Sequence, residues 1–563
     1  MPFERYGRVP ERVPGGLADR TWPQRSIERA PLWASVDLRD GNQALANPMD
    51  SARKGRMFDL LVQLGFKEIE VGYPAASEAE FSFVRELIRQ DRVPDDVTIV
   101  AFTPARPELI ERTFEALRGA RRAVVHLCLA TACLWRDVVF QMSAAELKSF
   151  TMDAVHQVAR LADAMPNAAI RYEFSPETFN VTEPEFALEI SNAVLTAWDA
   201  GPDRPVTLNL PTTVETDTPN VFADQIEWMS RNLDRRESVI LSVHPHNDRG
   251  TAVASAELAL MAGADRVEGT LFGNGERTGN VCLTTLAMNL FSHGIDPQLD
   301  FSDIDGVRRT VEECNQMTVP ARYPYVGDLV YTAFSGTHQD AIGKGLAAMD
   351  EQARIQGTDT RAVPWQVPYL PIDPKDVGRT YESVVRVNSQ SGKGGVAQVL
   401  KTHYGLDLPR PLRVDFARRV QSITDRTGTE LSSRQLWESF HETYVEPRPW
   451  LLLKKLDDES SGRRDTALRL FLADADGEET QLAGAGDDHA AAAVEALQDG
   501  GHAVTLHSHE SHDAPEHRTA AYVHLTYDGV TVHAAALHQD PATATVCAVL
   551  NGISRARDGV HAK

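Results

Sequence analysis

Long hydrophobic runs are missing from this chain. No apolar stretch approaches the roughly 20 residues that a membrane-spanning helix needs, which excludes a helical membrane protein. The first thirty residues carry Arg, Pro and Gly but no apolar core of the kind found in secretory signals, so no signal peptide is expected. Cysteine is scarce: Cys128, Cys133, Cys282, Cys314 and Cys547 are odd in number, scattered and without CxxC spacing. A disulfide framework or a thiolate metal site is thereby excluded, and a reducing, cytoplasmic compartment is expected. Positive charge is also short. With 57 Lys and Arg against 80 Asp and Glu, the formal net charge of -23 argues against general affinity for nucleic acid or an anionic membrane.

What the chain has is alternation. Eight short apolar runs recur between Pro31 and Asp305: LWASVDLRD, KEIEVGYP, VTIVAFTPA, AVVHLCLAT, AIRYEFSPE, PVTLNLPTTVE, VILSVHPHND and DRVEGTLFGNGE. Amphipathic, helix-like segments separate them. Strand–helix alternation repeated eight times over some 250 residues predicts an α/β fold, a (β/α)8 barrel. The alternative is an open doubly wound sheet. It is disfavoured because the glycine-rich GNGERTGN follows the eighth strand, not the first.

The organisation expected is an N-terminal arm over residues 1–30, a catalytic barrel over 31–305, helical linker subdomains over 306–449 and a C-terminal α+β domain over 450–563. Within the linker region, FSGTHQDAIGKG and VNSQSGKGGVAQVL read as polar, Gly-bearing segments, FSGTHQD as a polar loop, and VPYLPIDPKDVGRTY as an ordered loop. KKLDDESSGRRDT, residues 454–466, reads as a linker or exposed turn. In the last domain LRLFLADADGE, HAVTLHSHE, TAAYVHLTYDG and VTVHAAALHQ read as strands mixed with two helices. His502, His507, His509, His512 and His517 cluster around one expected loop, read as solvated or as a metal-binding tract.

In such a barrel chemistry sits at the carboxyl ends of the strands. His244 and His246 flank Pro245 at the end of the apolar run Val239–Val243. Residues i and i+2 of a strand share a face, so both imidazoles can meet one ion. Polar residues recur at the other strand ends: Arg39 and Asp40, Glu70, His126 and Thr131, Glu173 and Glu177, Asn209 and Thr213, Glu276 and Asn280. One carboxylate, two imidazoles and an amide oxygen (Asp40, His244, His246, Asn280) suit a divalent ion such as Mg2+, Mn2+ or Zn2+. Two open positions would fit a chelating 2-oxo acid, and Arg39 would stabilise developing negative charge. Blander readings stay open for single residues: a surface ion pair for Arg39 and Asp40, a helix-cap acceptor for Glu177, a core histidine for His126, a flexible loop for GNGERTGN.

SVDLRDGNQAL, FSPETF, LNLPTTVE, HPHNDRGTAVA and GNGERTGN together resemble the 2-isopropylmalate synthases, over roughly residues 15–440. The long form, with DRTWPQR before the barrel and FSGTHQDAI after it, is similar to the actinobacterial and fungal branch. The resemblance implies a Claisen condensation of acetyl-CoA with 3-methyl-2-oxobutanoate, in the first committed step of leucine synthesis. A homocitrate- or citramalate-type synthase taking another 2-oxo acid is the alternative. It implies a divalent metal, most readily Mg2+, on Asp40, His244, His246 and Asn280. Arg39 would contact the keto-acid oxygen, Glu177 and Thr213 would line its pocket, and His126 would lie near the substrate. His338 and Tyr369 are implied to reach a partner's site through subdomain exchange in a homodimer, with His338 assisting proton removal from acetyl-CoA. A leucine effector is implied for the C-terminal domain. There the family's GNGP-type turn is replaced by GAGDDHAAAAVEAL, with Asp487 and Asp488 in its place, while AAYV at Ala520–Val523 is kept.

Overall fold

The computed structural model describes residues 1–5, 12–379, 393–427, 431, 433–459, 466–474 and 477–561. By its internal packing the chain forms two units, Met1–Val330 with Asp376–Arg379, and Tyr331–Lys375 with Thr380–Lys563.

The first unit is a closed barrel of eight parallel strands in sequential order. Its strands are β1 (Leu32–Ser35), β2 (Glu68–Gly72), β3 (Thr98–Pro104), β4 (Arg122–Ala130), β5 (Ala169–Glu177), β6 (Val206–Thr212), β7 (Val239–Pro245) and β8 (Arg266–Gly269). The outer helices are α1 (Ser51–Leu64), α2 (Glu78–Arg89), α3 (Pro107–Leu117), α4 (Ala144–Asp163), α5 (Pro184–Trp198), α6 (Pro219–Asn232), α7 (Ala252–Met261) and α8 (Leu283–Ser292). The closing pair is parallel, with Leu32 opposite Arg266 and Ser35 opposite Gly269. Burial on both faces explains why the strands read as apolar runs. Local signals set the helix ends. Asp50 caps α1, accepting from Arg53 N, and Gly65 ends it at φ 105°; Ser143 and Glu146 form a capping box on α4. A further helix, α9 (Ile304–Asn315), packs in this unit, which continues to Val330. The arm before the barrel lies along α6: Arg12 pairs with Asp217 at 2.8 Å, Trp22 Nε1 donates to Asp224 at 2.7 Å, and Thr21 N donates to the Glu227 carboxylate.

The second unit opens with α10 (Gly336–Gln356), followed by α11 (Lys393–Tyr404), α12 (Arg410–Thr427) and α13 (Ser433–Phe440). Then come β9 (Leu451–Asp458), β10 (Thr466–Asp474), β11 (Glu479–Gly486), α14 (His489–Asp499), β12 (Val504–Ala514), β13 (Arg518–Tyr527), β14 (Val530–His538) and α15 (Pro541–His561). They form two three-stranded antiparallel sheets, ordered β11-β10-β9 and β12-β13-β14. Leu470, Leu525, Leu497 and Val549 fill one core between the sheets and α14 and α15. A second core joins α11–α13 to Ala520, Tyr522 and Ala535 of the β12–β14 sheet.

Three expectations are corrected here. FSGTHQDAIGKG is no loop: α10 starts at Gly336 and runs through it. The expected linker 454–466 begins inside β9, which runs to Asp458, and β11 was not anticipated; residues 460–465 lie outside the described residues, as do 387–392 of VNSQSGKGG. The histidine-rich stretch is not a loop, because His507, His509 and His512 belong to β12. They turn to separate partners, His507 Nε2 to Thr526 at 2.7 Å and His512 Nε2 to Tyr522 at 3.1 Å, so they do not converge on an ion.

Candidate active site

Asp40 sits on a wide single turn after β1, and His244 and His246 end β7. Asn280 lies in the loop after β8, where His246 and Asn280 pair as a backbone bridge. Asn247 N donates to Gly279 O at 2.9 Å, and Asn280 N to Gly273 O at 3.1 Å. Gly279 makes the turn possible. Its φ is +94°, and a Cβ there would stand 1.8 Å from Gly273 O.

The four side chains close on one small volume. His244 Nε2 is 2.6 Å from Asn280 Oδ1 and 3.5 Å from Asp40 Oδ2, and His246 Nε2 is 3.8 Å from the same carboxylate oxygen. The two imidazoles stack at 5.2 Å between centroids. Asn280 Nδ2 donates to Asn274 O at 3.0 Å, which turns its Oδ1 toward His244. Behind His244, Nδ1 meets Glu268 Oε2 at 2.9 Å.

A divalent cation fits this donor set. Asp40 Oδ2, which faces Nε2 of both imidazoles, is buried without a hydrogen-bond partner, and such an orphaned oxygen is costly unless a cation fills the space beside it. The backing carboxylate of Glu268 is the usual arrangement for orienting a metal-ligating histidine. Asp40, His244 and His246 are all buried, with ligand atoms grouped as an ion would need.

The electrostatics agree. Burial works against the Asp40 carboxylate, but the Arg39 guanidinium and His244 outweigh it and hold Asp40 well below the usual range. Burial also opposes charge on His244, yet the nearby carboxylates of Asp40 and Glu268 push it up to about 10. Burial and the neighbouring charge of His244 bring His246 down to about 4. One imidazole thus carries the charge that the two carboxylates attract, in the place where a cation would otherwise sit.

Arg39 is clamped. Its Nε donates to Glu70 Oε2 at 2.6 Å, its Nη1 to Asp40 Oδ1 at 2.9 Å, and the guanidinium lies 4.7 Å above the Phe102 ring. Glu177 ends β5 with Oε2 3.8 Å from Cys128 Sγ; burial raises its carboxyl, against the pull of Arg39. Thr213 follows β6, its Oγ1 accepting from Thr178 N at 2.9 Å, and Arg277 holds its carbonyl at 2.5 Å.

Not every polar residue stands at the mouth. Glu173 lies inside the barrel, where Arg266 Nη1 donates to it at 3.1 Å. His126 is 1% exposed. Both its ring nitrogens are taken, Nδ1 by Glu70 Oε1 and Nε2 by Ser175 Oγ, each at 2.7 Å. Glu276 is exposed. His338 and Tyr369 belong to the second unit, where their rings stack at 3.9 Å. Tyr369 is exposed, with φ +65°. Sequence reasoning missed Glu268, Arg266 and Ser175. Charged letters in an otherwise apolar strand, as in DRVEG, were the available signal.

A closed parallel barrel carrying a carboxylate, two imidazoles and an amide at its strand ends defines a barrel enzyme with a divalent-metal site. A family profile described as HMGL-like matches residues 30–311, and one described as the alpha-isopropylmalate synthase post-catalytic domain matches residues 328–401. The chain is 52% identical to a 2-isopropylmalate synthase of Mycobacterium ulcerans, over 99% of this chain and 100% of that one. It is 60% identical to that of Nocardia farcinica, over 79% and 77%, and 52% identical to that of Thermobifida fusca, over 99% and 98%. The chain belongs to the 2-isopropylmalate synthase family.

Proposed function

We propose that this protein joins acetyl-CoA to 3-methyl-2-oxobutanoate and hydrolyses the thioester, releasing 2-isopropylmalate and CoA as the first committed step of leucine biosynthesis. The observation that carries the reading is the buried Asp40, His244, His246 and Asn280 set, opposite a clamped Arg39.

Asp40, His244, His246 and Asn280 would hold a divalent ion, most readily Mg2+. When bound, that ion supplies Lewis-acid polarisation of the oxo acid's ketone. Two of the Arg39 nitrogens are fixed on Glu70 and Asp40, so its third, Nη2, is presented to the keto-acid oxygen with no freedom to swing away. As the new bond forms, that oxygen takes on negative charge, and Arg39 stabilises it. Glu177 and Thr213 line the oxo-acid pocket. His338 takes a proton from the acetyl-CoA methyl group, with Tyr369 stacked on its ring to limit its rotation. The methyl carbon then bonds to the ketone carbon, the former keto oxygen gains a proton, and water cleaves the thioester. The reading includes an arm at 1–30, a catalytic barrel at 31–305, linker subdomains at 306–449 and a C-terminal domain at 450–563. It also includes a homodimer in which His338 and Tyr369 of one chain serve the other's barrel; sedimentation equilibrium tests it. A reducing, cytoplasmic setting suits five free cysteines, and no described helix is long and apolar enough to cross a membrane.

Leucine is the effector that family membership suggests for the C-terminal domain. There the Asp488 side chain accepts from Ala491 N at 2.8 Å and caps α14. Its carboxylate already uses a donor that an effector's carboxylate would take, so we expect weakened leucine feedback.

The test is CoA thiol release by purified protein with acetyl-CoA, Mg2+ and a panel of 2-oxo acids. Turnover should be fastest with 3-methyl-2-oxobutanoate. A preference for 2-oxoglutarate or pyruvate would move the assignment to a homocitrate- or citramalate-type synthase, and no release with any acid would refute the enzyme reading. Adding leucine to the same assay reads the feedback.

A further inference from the structure

The C-terminal domain holds a pair of histidines that do come together, outside the histidine-rich stretch of β12. His524 on β13 and His533 on β14 stand directly opposite each other in the antiparallel register. Their rings stack with centroids 4.3 Å apart and planes inclined by 23°. His244 and His246, the pair that ends β7, stack in the same way at 5.2 Å and 11°. Side chains alternate between the two faces of a strand. His524 follows Tyr522 by two residues and His533 precedes Ala535 by two. Both imidazoles therefore share the sheet face on which Tyr522 and Ala535 pack against α11–α13. The helical cover thins there: Tyr522 and Ala535 are buried, the two histidines half-buried.

A narrow cleft lies between this face and the start of α12. Pro411 and Leu412 line one side of it, and Ser508, Glu510, His524 and His533 the other. Its free volume of about 10 Å3 is that of a single water or a bare ion. Among the described residues, the ring nitrogens of His524 and His533 have no protein hydrogen-bond partner; His533 accepts from Arg555 only through its carbonyl. His507 lies on the far side of His524, with ring centroids 4.8 Å apart, but its Nε2 is taken by Thr526 at 2.7 Å. The nearest positive charge is compensated. Arg555 donates to Asp415 at 3.1 Å, and the Tyr444 hydroxyl donates to the same carboxylate at 2.9 Å. The guanidinium therefore does not present a bare charge to a cation in the cleft.

We propose that His524 and His533 form a second metal site, for an imidazole-preferring transition-metal ion such as Zn2+, with Glu510 as the carboxylate beside it. Two imidazole nitrogens bind one Zn2+ at about 2.0–2.1 Å each, so they must lie about 4 Å apart or less. Near-parallel rings at 4.3 Å meet that requirement with a small tilt. Glu510 stands opposite Tyr522, one diagonal step from His524, a separation that long side chains cross. Two imidazoles and one exposed carboxylate favour Zn2+, Ni2+ or Cu2+ over Mg2+, which asks for oxygen ligands. The barrel site differs in offering oxygens from Asp40 and Asn280 beside its own two imidazoles. An ion on His524 and His533 would tie β13 to β14 across the face that packs on α11–α13. None of this depends on the reaction proposed for the barrel.

The test is calorimetric titration of the full chain with Zn2+. Wild type is compared with His244→Ala, His524→Gln and the His244→Ala/His524→Gln double variant. Each single substitution should remove one tight equivalent of Zn2+, and the double substitution both. His524→Gln should keep wild-type CoA thiol release in Mg2+, which also serves as its fold control. Wild-type crystals soaked in Zn2+ should show an anomalous peak between the His524 and His533 rings. Unchanged Zn2+ stoichiometry in folded His524→Gln protein, or soaked crystals with no peak between those rings, would overturn the proposal. If His524→Gln does not fold, His533→Gln and the soaked wild-type crystal decide. Should the barrel site not bind the ion, His244→Ala would match wild type while His524→Gln still loses its equivalent, so the two readings fail separately.

Discussion

Arg39→Lys keeps the charge and removes the fork. In the native site one guanidinium serves Glu70 at 2.6 Å, Asp40 at 2.9 Å and the Phe102 face at 4.7 Å, with its side chain 11% exposed. A single ammonium on a flexible stem cannot span both carboxylates in that geometry and still present a donor to the keto oxygen. At least one charge-assisted hydrogen bond is lost, worth about 1.5–3 kcal/mol. The carboxylate left behind is buried: Glu70 is 1% exposed and Asp40 4%. Removing one partner of a buried ion pair costs about 3–5 kcal/mol; here the lysine retains part of that attraction, so the lower half of the range applies to folding. For catalysis, the loss of one preorganised donor to developing oxyanion charge corresponds to about 10²–10³ in kcat. The assay is initial-rate CoA thiol release over a range of 3-methyl-2-oxobutanoate concentrations, with circular dichroism as the fold control. A folded Arg39→Lys enzyme with kcat/KM within fivefold of wild type would refute the argument that the bidentate clamp matters.

His244→Ala should abolish CoA release and Mn2+ binding while circular dichroism stays native, because the imidazole sits at a strand end and the apolar packing of strands against helices does not depend on it; near-normal Mn2+ affinity would contradict the ligand set. Gly279→Ala places a Cβ 1.8 Å from Gly273 O at φ +94°, so the loop carrying Asn280 must shift, and activity should fall at least tenfold in the thiol-release assay with the barrel still folded. Burial pushes the Asp37 carboxyl up to about 6 despite its bonds to Ser35 and Leu271 N. An acid raised on folding binds its proton more tightly in the native state, so its contribution to stability is greatest below the unfolded value near 4 and is lost as pH rises through 6. The stability of Asp37→Asn relative to wild type should therefore improve by roughly 1 kcal/mol from pH 5 to pH 8, read by urea denaturation; a flat difference would contradict the raised value.

The barrel was legible in the sequence because strands buried on both faces read as apolar runs, and because the amphipathic segments between them keep a helical period. His244, His246 and Asp40 were legible because they follow such runs directly, at the end where barrels place chemistry. Position along a strand was harder. Glu173 and Glu268 are equally charged letters in apolar surroundings, and only the closed sheet reveals that Arg266 holds both inside the barrel. The C-terminal sheets were legible only in part. β9 alternates between half-buried and exposed positions, so its lysines and aspartates resemble a linker. β11 is small and glycine-bearing because α14 packs closely on it: a Cβ at Gly484 would stand 2.4 Å from Ala496 N. α10 was hidden by its polar start and by Gly345, where a Cβ would meet Pro368 Cδ at 2.6 Å.

The four-residue metal site is tested by a crystal of the protein grown with Mn2+ and 3-methyl-2-oxobutanoate, read by anomalous scattering. One strong Mn2+ peak is expected within coordination distance of Asp40, His244, His246 and Asn280, with the oxo acid chelating it and Arg39 at the keto oxygen. A peak that lies away from these four side chains, in protein that still turns over, would contradict it.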